Sequence, residues 1–229
     1  MRITRTNILN FIGYKLINMA RDVSQIHQFP PGAWEEYVKD DPFETRWVTY
    51  PLNSLSMVVD VGAYDGDWAK LIYCRYSCFV DMYEPQPKLA EKVQSQICTN
   101  QKLLMFNYGL GGDDGKLSFY NCGQQGSLYQ TGGGGVQEVL IRKASNIFNL
   151  RYRNGIDLFK INTEGAEYQI LPDLIQNYDM RKIKYILIAF HSNVKNYKEK
   201  ILAIRKELEK THRKIWGVDE VFESWEVRE

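Results

Sequence analysis

The feature that most constrains the fold is a regular alternation of apolar runs with amphipathic segments, which begins near residue 57. Five runs read as strands: MVVDVG, CFVDMYEP, KLLMFNYG, IDLFKIN and IKYILIAFH. Helical patterns such as QPKLAEKVQSQICTN and NYKEKILAIRKELEKTH follow several of them. Strands that are apolar on both faces need cover on both faces, so the alternation predicts an α/β fold with a mostly parallel sheet between helices.

Shorter segments complete this outline. KLSFYNC reads as an edge strand or one arm of a hairpin, VQEVLIR as a further strand, and RWVTYP as a short extended piece. RKIWGVD and VFESWEV predict a closing hairpin around Gly217, and Pro172 falls inside a predicted helix or at a kink. The glycine-rich stretch 123–135 cannot be core, and we expect it to be a mobile loop.

Length suits one main domain with a short appendage, since the chain has 229 residues and a mass of 26.8 kDa. We expect a helical segment at 1–50, packed on a core domain at 51–229. Residues 1–21 carry basic side chains beside apolar residues at helical spacing, so weak peripheral contact with a membrane is the alternative role for this segment. We expect no signal peptide and no transmembrane run.

Charge and cysteine content limit the possible binding partners and the cellular location. The chain has 29 basic and 28 acidic residues and a formal net charge of +1, so no basic field predicts a nucleic-acid partner. Its four cysteines are too few for a disulfide scaffold at this length, which predicts reduced thiols and a cytoplasmic location. No further ligand completes a metal site around CRYSC, and we expect no metal.

Glycines and acids stand directly after the first two predicted strands. VVDVGAYDGDW brings Asp60, Gly62 and Gly66 into the first turn, and Glu84 follows the second strand, 22 residues after Gly62. A helix start with free N–H groups, together with a carboxylate that can accept from ribose hydroxyls, predicts a site for a nucleoside-containing cofactor. Tyr64 stands where the dinucleotide fingerprint needs glycine, which favours a cofactor without pyrophosphate, such as S-adenosylmethionine. A tight turn with a chance acid downstream is the alternative.

The later strand ends carry further candidates. Asn107 and Tyr108 follow the third strand and could meet an adenine edge or simply precede a turn. Asn162 and Glu164 bracket the helix start after the fourth strand, where helix capping and a catalytic role are both open. His191 follows the fifth strand and is a candidate general base or a hydrogen-bonded histidine.

Taken together, five segments resemble the FkbM family of S-adenosylmethionine-dependent methyltransferases. They are VDVGAYDGDW, YEPQP, NYGLGGDDG, IDLFKINTEGAEYQIL and ILIAFHSN, in the family's order, and they span roughly residues 57–192. Two positions depart from the family's pattern: Asn162 stands where Asp is usual, and Ala189 where Glu often stands.

The resemblance implies a Rossmann-like class I methyltransferase fold: a mostly parallel seven-stranded sheet, helices on both faces and a C-terminal antiparallel hairpin. It implies S-adenosylmethionine as cofactor and methyl transfer to an oxygen, often a sugar or natural-product hydroxyl, on a small-molecule or glycan acceptor. Because Asn162 cannot ionise, a cofactor-binding protein with weakened turnover is one alternative. A nicotinamide-dependent oxidoreductase, disfavoured by Tyr64, is another, and the oligomeric state stays open.

The same resemblance assigns roles to residues. The cofactor-binding residues would be Asp60, Gly62, Ala63, Tyr64, Asp65, Gly66, Glu84, Pro85, Asn107 and Tyr108. His191, Glu164 and Asn162 would face the acceptor. An acceptor hydroxyl holds its proton at neutral pH, whereas the ordinary pKa of histidine is about 6.5. We therefore expect His191 to accept the proton, with Glu164 as its rival and Asn162 as a positioning group.

Overall fold

The computed structural model describes residues 45–120 and 136–229 of the chain. Strands β1 to β10 in that part are Met57–Val61, Phe79–Tyr83, Leu103–Phe106, Gly109–Gly111, Gly115–Tyr120, Val136–Lys143, Ile156–Ile161, Ile183–Ala189, His212–Val218 and Phe222–Val227. Helices α1 to α5 are Asp67–Tyr76, Pro87–Ile97, Ala144–Arg151, Glu167–Asn177 and Tyr197–Leu208. Single turns of 3-10 helix lie at Thr45–Trp47 and Met180–Lys182.

Seven of the described strands form one sheet, in the order β3-β2-β1-β7-β8-β10-β9. Neighbours from β3 to β8 are parallel, whereas β10 is antiparallel to both β8 and β9. This confirms the predicted mostly parallel sheet and the closing hairpin. Strand order reverses between β1 and β7, so the loops that follow these two strands lie side by side at the carboxyl edge, where ligands of such sheets bind.

The period of two along each strand divides the core between the two faces of the sheet. Alternate residues such as Val59, Phe159 and Ile186 pack with α3, α4 and α5 in one buried cluster. Their neighbours along the strands, such as Val58 and Leu158, pack with α1 and α2 in a second cluster. Helices therefore cover both faces, as the apolar strands predict.

A smaller sheet stands beside the main one. Among the described residues it contains three strands in the order β4-β6-β5. The strand β5, predicted as an edge strand or one arm of a hairpin, lies at an edge of this sheet and is antiparallel to β6. The expected mobile loop at 123–135 lies outside the described residues, as does most of the N-terminal segment 1–50, including the 1–21 stretch considered for membrane contact. None of the helices in the described part of the chain combines the length and apolar character that crossing a membrane requires.

Two local predictions were wrong. The segment expected to be extended begins with the 3-10 turn Thr45–Trp47, because its backbone bonds to the Tyr76 side chain rather than to a strand: Tyr76 Oη donates to Val48 O at 2.9 Å. The hairpin turns at residues 219–221, not at Gly217, which lies inside β9. There a Cβ would come within 2.8 Å of the Phe222 carbonyl oxygen, so this glycine permits close pairing instead of a turn.

Candidate functional site

A buried ion pair joins the ends of β1 and β7. Asp60 and Lys160 lie opposite each other in the parallel register, and Lys160 Nζ donates to Asp60 Oδ1 at 2.7 Å and to the Gly62 carbonyl at 2.9 Å. This pairing explains a lysine in an otherwise apolar strand. Burial raises the pKa of Asp60 despite the neighbouring ammonium group. Any further hydrogen-bond donor would stabilise the ionised form of this buried carboxylate.

The glycines after β1 allow two loops to touch. Gly62 and Gly66 adopt left-handed conformations, with φ of 79° and 76°. A Cβ on Gly62 would lie 1.9 Å from the backbone oxygen of Asn162, so only glycine permits the loop after β1 to rest on the loop after β7. The N–H groups of Gly62 and Ala63 donate to the carbonyl of Tyr83 at the end of β2.

The remainder of this loop leads into α1. Tyr64 is also left-handed, with φ of 53°, a conformation that costs free energy for a residue with a side chain. Asp65 Oδ1 accepts the N–H of Asp67 at 3.3 Å, so its carboxylate already occupies one of the N–H groups at the helix start. The other N–H groups of this first turn are where the sequence predicts contact with the cofactor.

Glu84 is a buried carboxylate at the end of β2. It is 4% exposed, and its two oxygens accept the N–H groups of Tyr64 at 3.0 Å and Gln86 at 2.9 Å. Burial raises the pKa of Glu84 to about 7, although both backbone donors favour the ionised form. Asn107 supports this turn, since its amide donates to the carbonyl oxygens of Glu84 and Pro85.

Tyr108, the last of the predicted cofactor residues, lies beside this turn. Its ring packs edge-on against Tyr83 with centroids 5.5 Å apart, and the Tyr83 ring stacks on Phe106. Burial raises the pKa of Tyr108. The predicted cofactor residues therefore lie on neighbouring loops after β1, β2 and β3, and their contact with a cofactor stays a prediction.

On the other side of the site, Glu167 ties the β7–α4 turn to the end of β8. Its Oε2 accepts from Thr163 Oγ1 at 2.9 Å and from the Gly165 N–H at 2.8 Å. Its Oε1 accepts the His191 N–H at 3.0 Å and lies 3.0 Å from His191 Nδ1. Burial alone would raise the pKa of Glu167, but the charge of His191 and these donors lower it.

His191 lies between two carboxylates. Its residue is 1% exposed, Nδ1 faces Glu167, and Nε2 lies 3.6 Å from Glu164 Oε1. Burial opposes the charged imidazolium, yet Glu167 and Glu164 raise the pKa of His191 to about 10. A histidine in this state already holds its proton at neutral pH. His191 as the base stays a prediction, and the enclosure of its ring argues against it.

Glu164 occupies a strained and partly open position. It is left-handed with φ of 58°, and its side chain is 32% exposed. Strain of this kind costs about 1–3 kcal/mol and concentrates at functional sites. Asn193 donates to the Glu164 carbonyl at 3.3 Å, which places a residue of the loop after β8 against the β7–α4 turn.

Four buried side-chain oxygens around this edge accept no hydrogen bond within residues 45–120 and 136–229. They are Asp60 Oδ2, Asn162 Oδ1, Glu164 Oε2 and Asn193 Oδ1. An unsatisfied buried polar atom costs about 1–3 kcal/mol, so such atoms call for an explanation. Because all four are acceptors, a ligand that fits them brings hydrogen-bond donors.

The sequence missed Glu167 and Asn193. Glu167 closes the EGAE segment, where an acid at a helix start is easily explained by the helix dipole. Asn193 stands two residues after His191 and carries no motif signal of its own. No three His, Cys, Asp or Glu side chains group as potential metal ligands in the described ranges.

The sequence matches a known protein family. The model of the methyltransferase FkbM domain matches residues 60–215. The chain belongs to this family. The match includes every predicted site residue, from Asp60 to His191, and the fold of this FkbM domain is the class I methyltransferase fold that the motifs predict. No curated protein matches the chain.

Solved structures agree with this FkbM domain in fold. Methyltransferase FkbM from Methylobacillus flagellatus KT aligns with a TM-score of 0.52 and 13% identity, over 78% of this chain and 45% of that chain. SMU.1697c from Streptococcus mutans, solved in complex with SAH, aligns with a TM-score of 0.50 and 9% identity, over 82% of this chain and 97% of that chain.

An rRNA-methylase assigned in Clostridium thermocellum also aligns with this FkbM domain, with a TM-score of 0.50 and 11% identity, over 86% of this chain and 95% of that chain. At these identities the likeness concerns the fold alone. The chain spans less than half of the Methylobacillus relative, so the activity of that whole protein does not transfer to it directly.

Proposed function

We propose that this FkbM domain binds S-adenosylmethionine and transfers its methyl group to a hydroxyl oxygen of a sugar or natural product. The observation that carries the proposal is Glu84, a buried carboxylate at the end of β2 that faces the loop after β1. In this strand order, a carboxylate at that place can accept from both hydroxyls of a ribose.

The residues of the cofactor side fit such a ligand. Asp60 Oδ2 is a buried acceptor without a donor, at the strand end beside the loop Gly62–Gly66. Glu84 would hold the ribose, and Asn107 and Tyr108 lie next to it where an adenine would follow. When bound, S-adenosylmethionine supplies a methyl group on a positively charged sulfur. The protein's own task is to orient this group and an acceptor oxygen in line.

The acceptor side lies across the β1–β7 reversal. Asn162, Glu164 and Asn193 each carry a buried oxygen without a donor, and this supports an acceptor rich in hydroxyl groups. A formal net charge of +1 gives no basic field for a nucleic acid, so we propose a small molecule or glycan as the acceptor. Reduced cysteines and a cytoplasmic setting belong to the same proposal.

A second candidate is a protein that binds the cofactor but has little turnover. Asn162 favours it, because an amide stands where the family pattern has a carboxylate, and its Oδ1 bonds to nothing in the described residues. Ala189, where Glu often stands, is 2% exposed and pairs with Phe222 of β10. An oxidoreductase reading gains no such support.

The test has two steps on the full chain. Calorimetry with S-adenosylmethionine and S-adenosylhomocysteine measures cofactor binding, with NAD as the matched control ligand that should not bind. Mass spectrometry then measures transfer of a trideuterated methyl group to a panel of hydroxylated sugars and glycans. Binding with transfer supports the proposal, binding without transfer to any panel member supports the second candidate, and no binding of either cofactor form refutes both.

A further inference from the structure

We propose that Glu164, and not His191, takes the proton of the acceptor hydroxyl, and that His191 is a positioning residue that holds the Glu164 side chain. This inference rests on the proposed function. It reverses the roles that the sequence suggests, and it follows from where the two side chains face.

The geometry leaves His191 no open ring nitrogen. Nδ1 lies 3.0 Å from Glu167 Oε1, and Nε2 lies 3.6 Å from Glu164 Oε1. The backbone N–H of His191 also donates to Glu167, and its carbonyl accepts from Tyr168 Oη at 2.9 Å. The residue is therefore fixed on both sides and 1% exposed, so an acceptor hydroxyl cannot approach a free lone pair on the ring.

Glu164 has the complementary properties. One carboxylate oxygen faces the imidazolium, whereas Oε2 accepts from nothing among the described residues. Oε2 itself is buried, but the terminal torsion of a glutamate is broad, so rotation about it can bring Oε2 to the surface of a side chain that is 32% exposed. The left-handed backbone, with φ of 58°, is strained for a residue with a side chain, and strain of this kind concentrates at functional sites.

The chemistry does not need a base near pKa 7. In the step, a bond forms between the acceptor oxygen and the methyl carbon, the carbon–sulfur bond breaks, and its electron pair stays on sulfur. The hydroxyl proton becomes strongly acidic as the oxygen acquires its third bond, so a carboxylate is a sufficient acceptor. The proton moves to Glu164 Oε2, and the neighbouring imidazolium charge holds that carboxylate in place.

The protonation of His191 can be measured without any acceptor. Long-range proton–nitrogen spectra of the full chain, labelled with nitrogen-15 in its histidines, report whether one or both ring nitrogens carry a proton. We expect both nitrogens of His191 to be protonated at pH 8, since its pKa is raised to about 10. His212 is the internal control, because burial lowers its pKa and it should be neutral at that pH.

In the Glu167→Gln variant the pKa of His191 should fall, because the ring loses its charged partner. If Glu167 only packed against the ring, the substitution would leave this pKa unchanged. If wild-type His191 instead titrates near pH 6.5, it is free to act as a base and the inference is overturned. That result would not affect the conclusion on cofactor binding. If instead calorimetry finds no cofactor binding, the proposed function is refuted, and the histidine spectrum still tests whether His191 is held as an imidazolium between the two glutamates.

The second test measures turnover, with any acceptor of the panel that the protein methylates. Glu164→Gln should lower turnover by roughly 10²–10⁴-fold while the affinity for S-adenosylhomocysteine is unchanged. Glu164→Asp keeps a carboxylate and should recover part of the rate. Equal turnover of Glu164→Gln and wild type would overturn the inference; if the panel yields no acceptor, the histidine spectrum decides alone.

Discussion

Two buried glutamates on opposite sides of the site reach opposite ionisation behaviour from similar surroundings. Glu84 and Glu167 are 4% and 0% exposed, and each accepts two backbone N–H groups. Burial raises the pKa of Glu84 to about 7. The pKa of Glu167 is lowered even though burial opposes this, because His191 lies against it.

The difference lies in the partner and not in the depth of burial. Glu167 has a cation 3.0 Å away. The positive charge that acts on Glu84 is that of Lys160, which is bonded to Asp60 and Gly62 instead. The acceptor side therefore contains a completed ion pair that fixes the turn after β7. The cofactor side keeps a carboxylate whose interactions a ligand can complete.

The largest expected effect comes from breaking the completed pair. Glu167→Gln leaves the buried imidazolium without its carboxylate, and removing one member of a buried pair costs about 3–5 kcal/mol of unfolding free energy. Denaturation in urea measures this loss. The matched control is Glu207→Gln, whose partner Lys210 is 64% exposed at the side chain, and its loss should stay within about 1 kcal/mol.

The pH dependence of that loss has a defined sign. The folded pKa of His191, about 10, exceeds its unfolded value near 6.5, so its contribution is complete below pH 6.5 and disappears as pH rises through 10. The lowered pKa of Glu167 adds stability that is lost as pH falls below its ordinary value of 4.5. The difference between wild type and Glu167→Gln should thus be larger at pH 6 than at pH 10. Equal losses at both values would contradict the pairing.

A smaller effect is expected at Glu84, on the cofactor side of the site. Glu84→Ala removes the carboxylate expected to hold the ribose, and a hydrogen bond to a charged group is worth about 1.5–3 kcal/mol. Affinity for S-adenosylmethionine should therefore fall by at least about tenfold, since 1.4 kcal/mol is a factor of ten. Calorimetry measures it, with the exposed Glu91 of α2, changed to Ala, as the control. Unchanged affinity in a folded Glu84→Ala protein would remove Glu84 from the pocket.

The residues that gather at the edge of the site could largely be anticipated from the sequence, for a topological reason. Parallel strands bring their carboxyl ends to one edge, so residues that directly follow apolar runs must gather there. This reasoning places Asp60, Glu84, Asn162 and His191 at that edge, and the structure puts the strand ends and loops that carry them side by side.

The ion pair between Glu167 and His191 could not be anticipated, because it depends on the directions of side chains that come from two different loops. Glu167 and His191 are 24 residues apart, and nothing in either local pattern says that the glutamate turns back to meet the ring. The hairpin shows the same limit: Gly217 signals a turn, but strand pairing places the turn at residues 219–221, where Glu220 is left-handed with φ of 59°.

The smallest expected effect is a pH dependence of cofactor affinity that belongs to Glu84 alone. Ribose hydroxyls donate hydrogen bonds, so they bind the ionised carboxylate better than the carboxylic acid. With the pKa of free Glu84 at about 7, binding must expel a proton below that pH, and affinity should decline by less than about tenfold between pH 7 and pH 6. Above pH 7 the affinity should be level.

The control is Glu84→Gln, whose amide cannot titrate. Its weaker affinity should stay constant over the same pH range, and calorimetry in buffers of different ionisation enthalpy should find no proton release. A decline of equal slope in Glu84→Gln would assign the pH dependence to another group, and it would remove the contrast between the two glutamates on which this prediction depends.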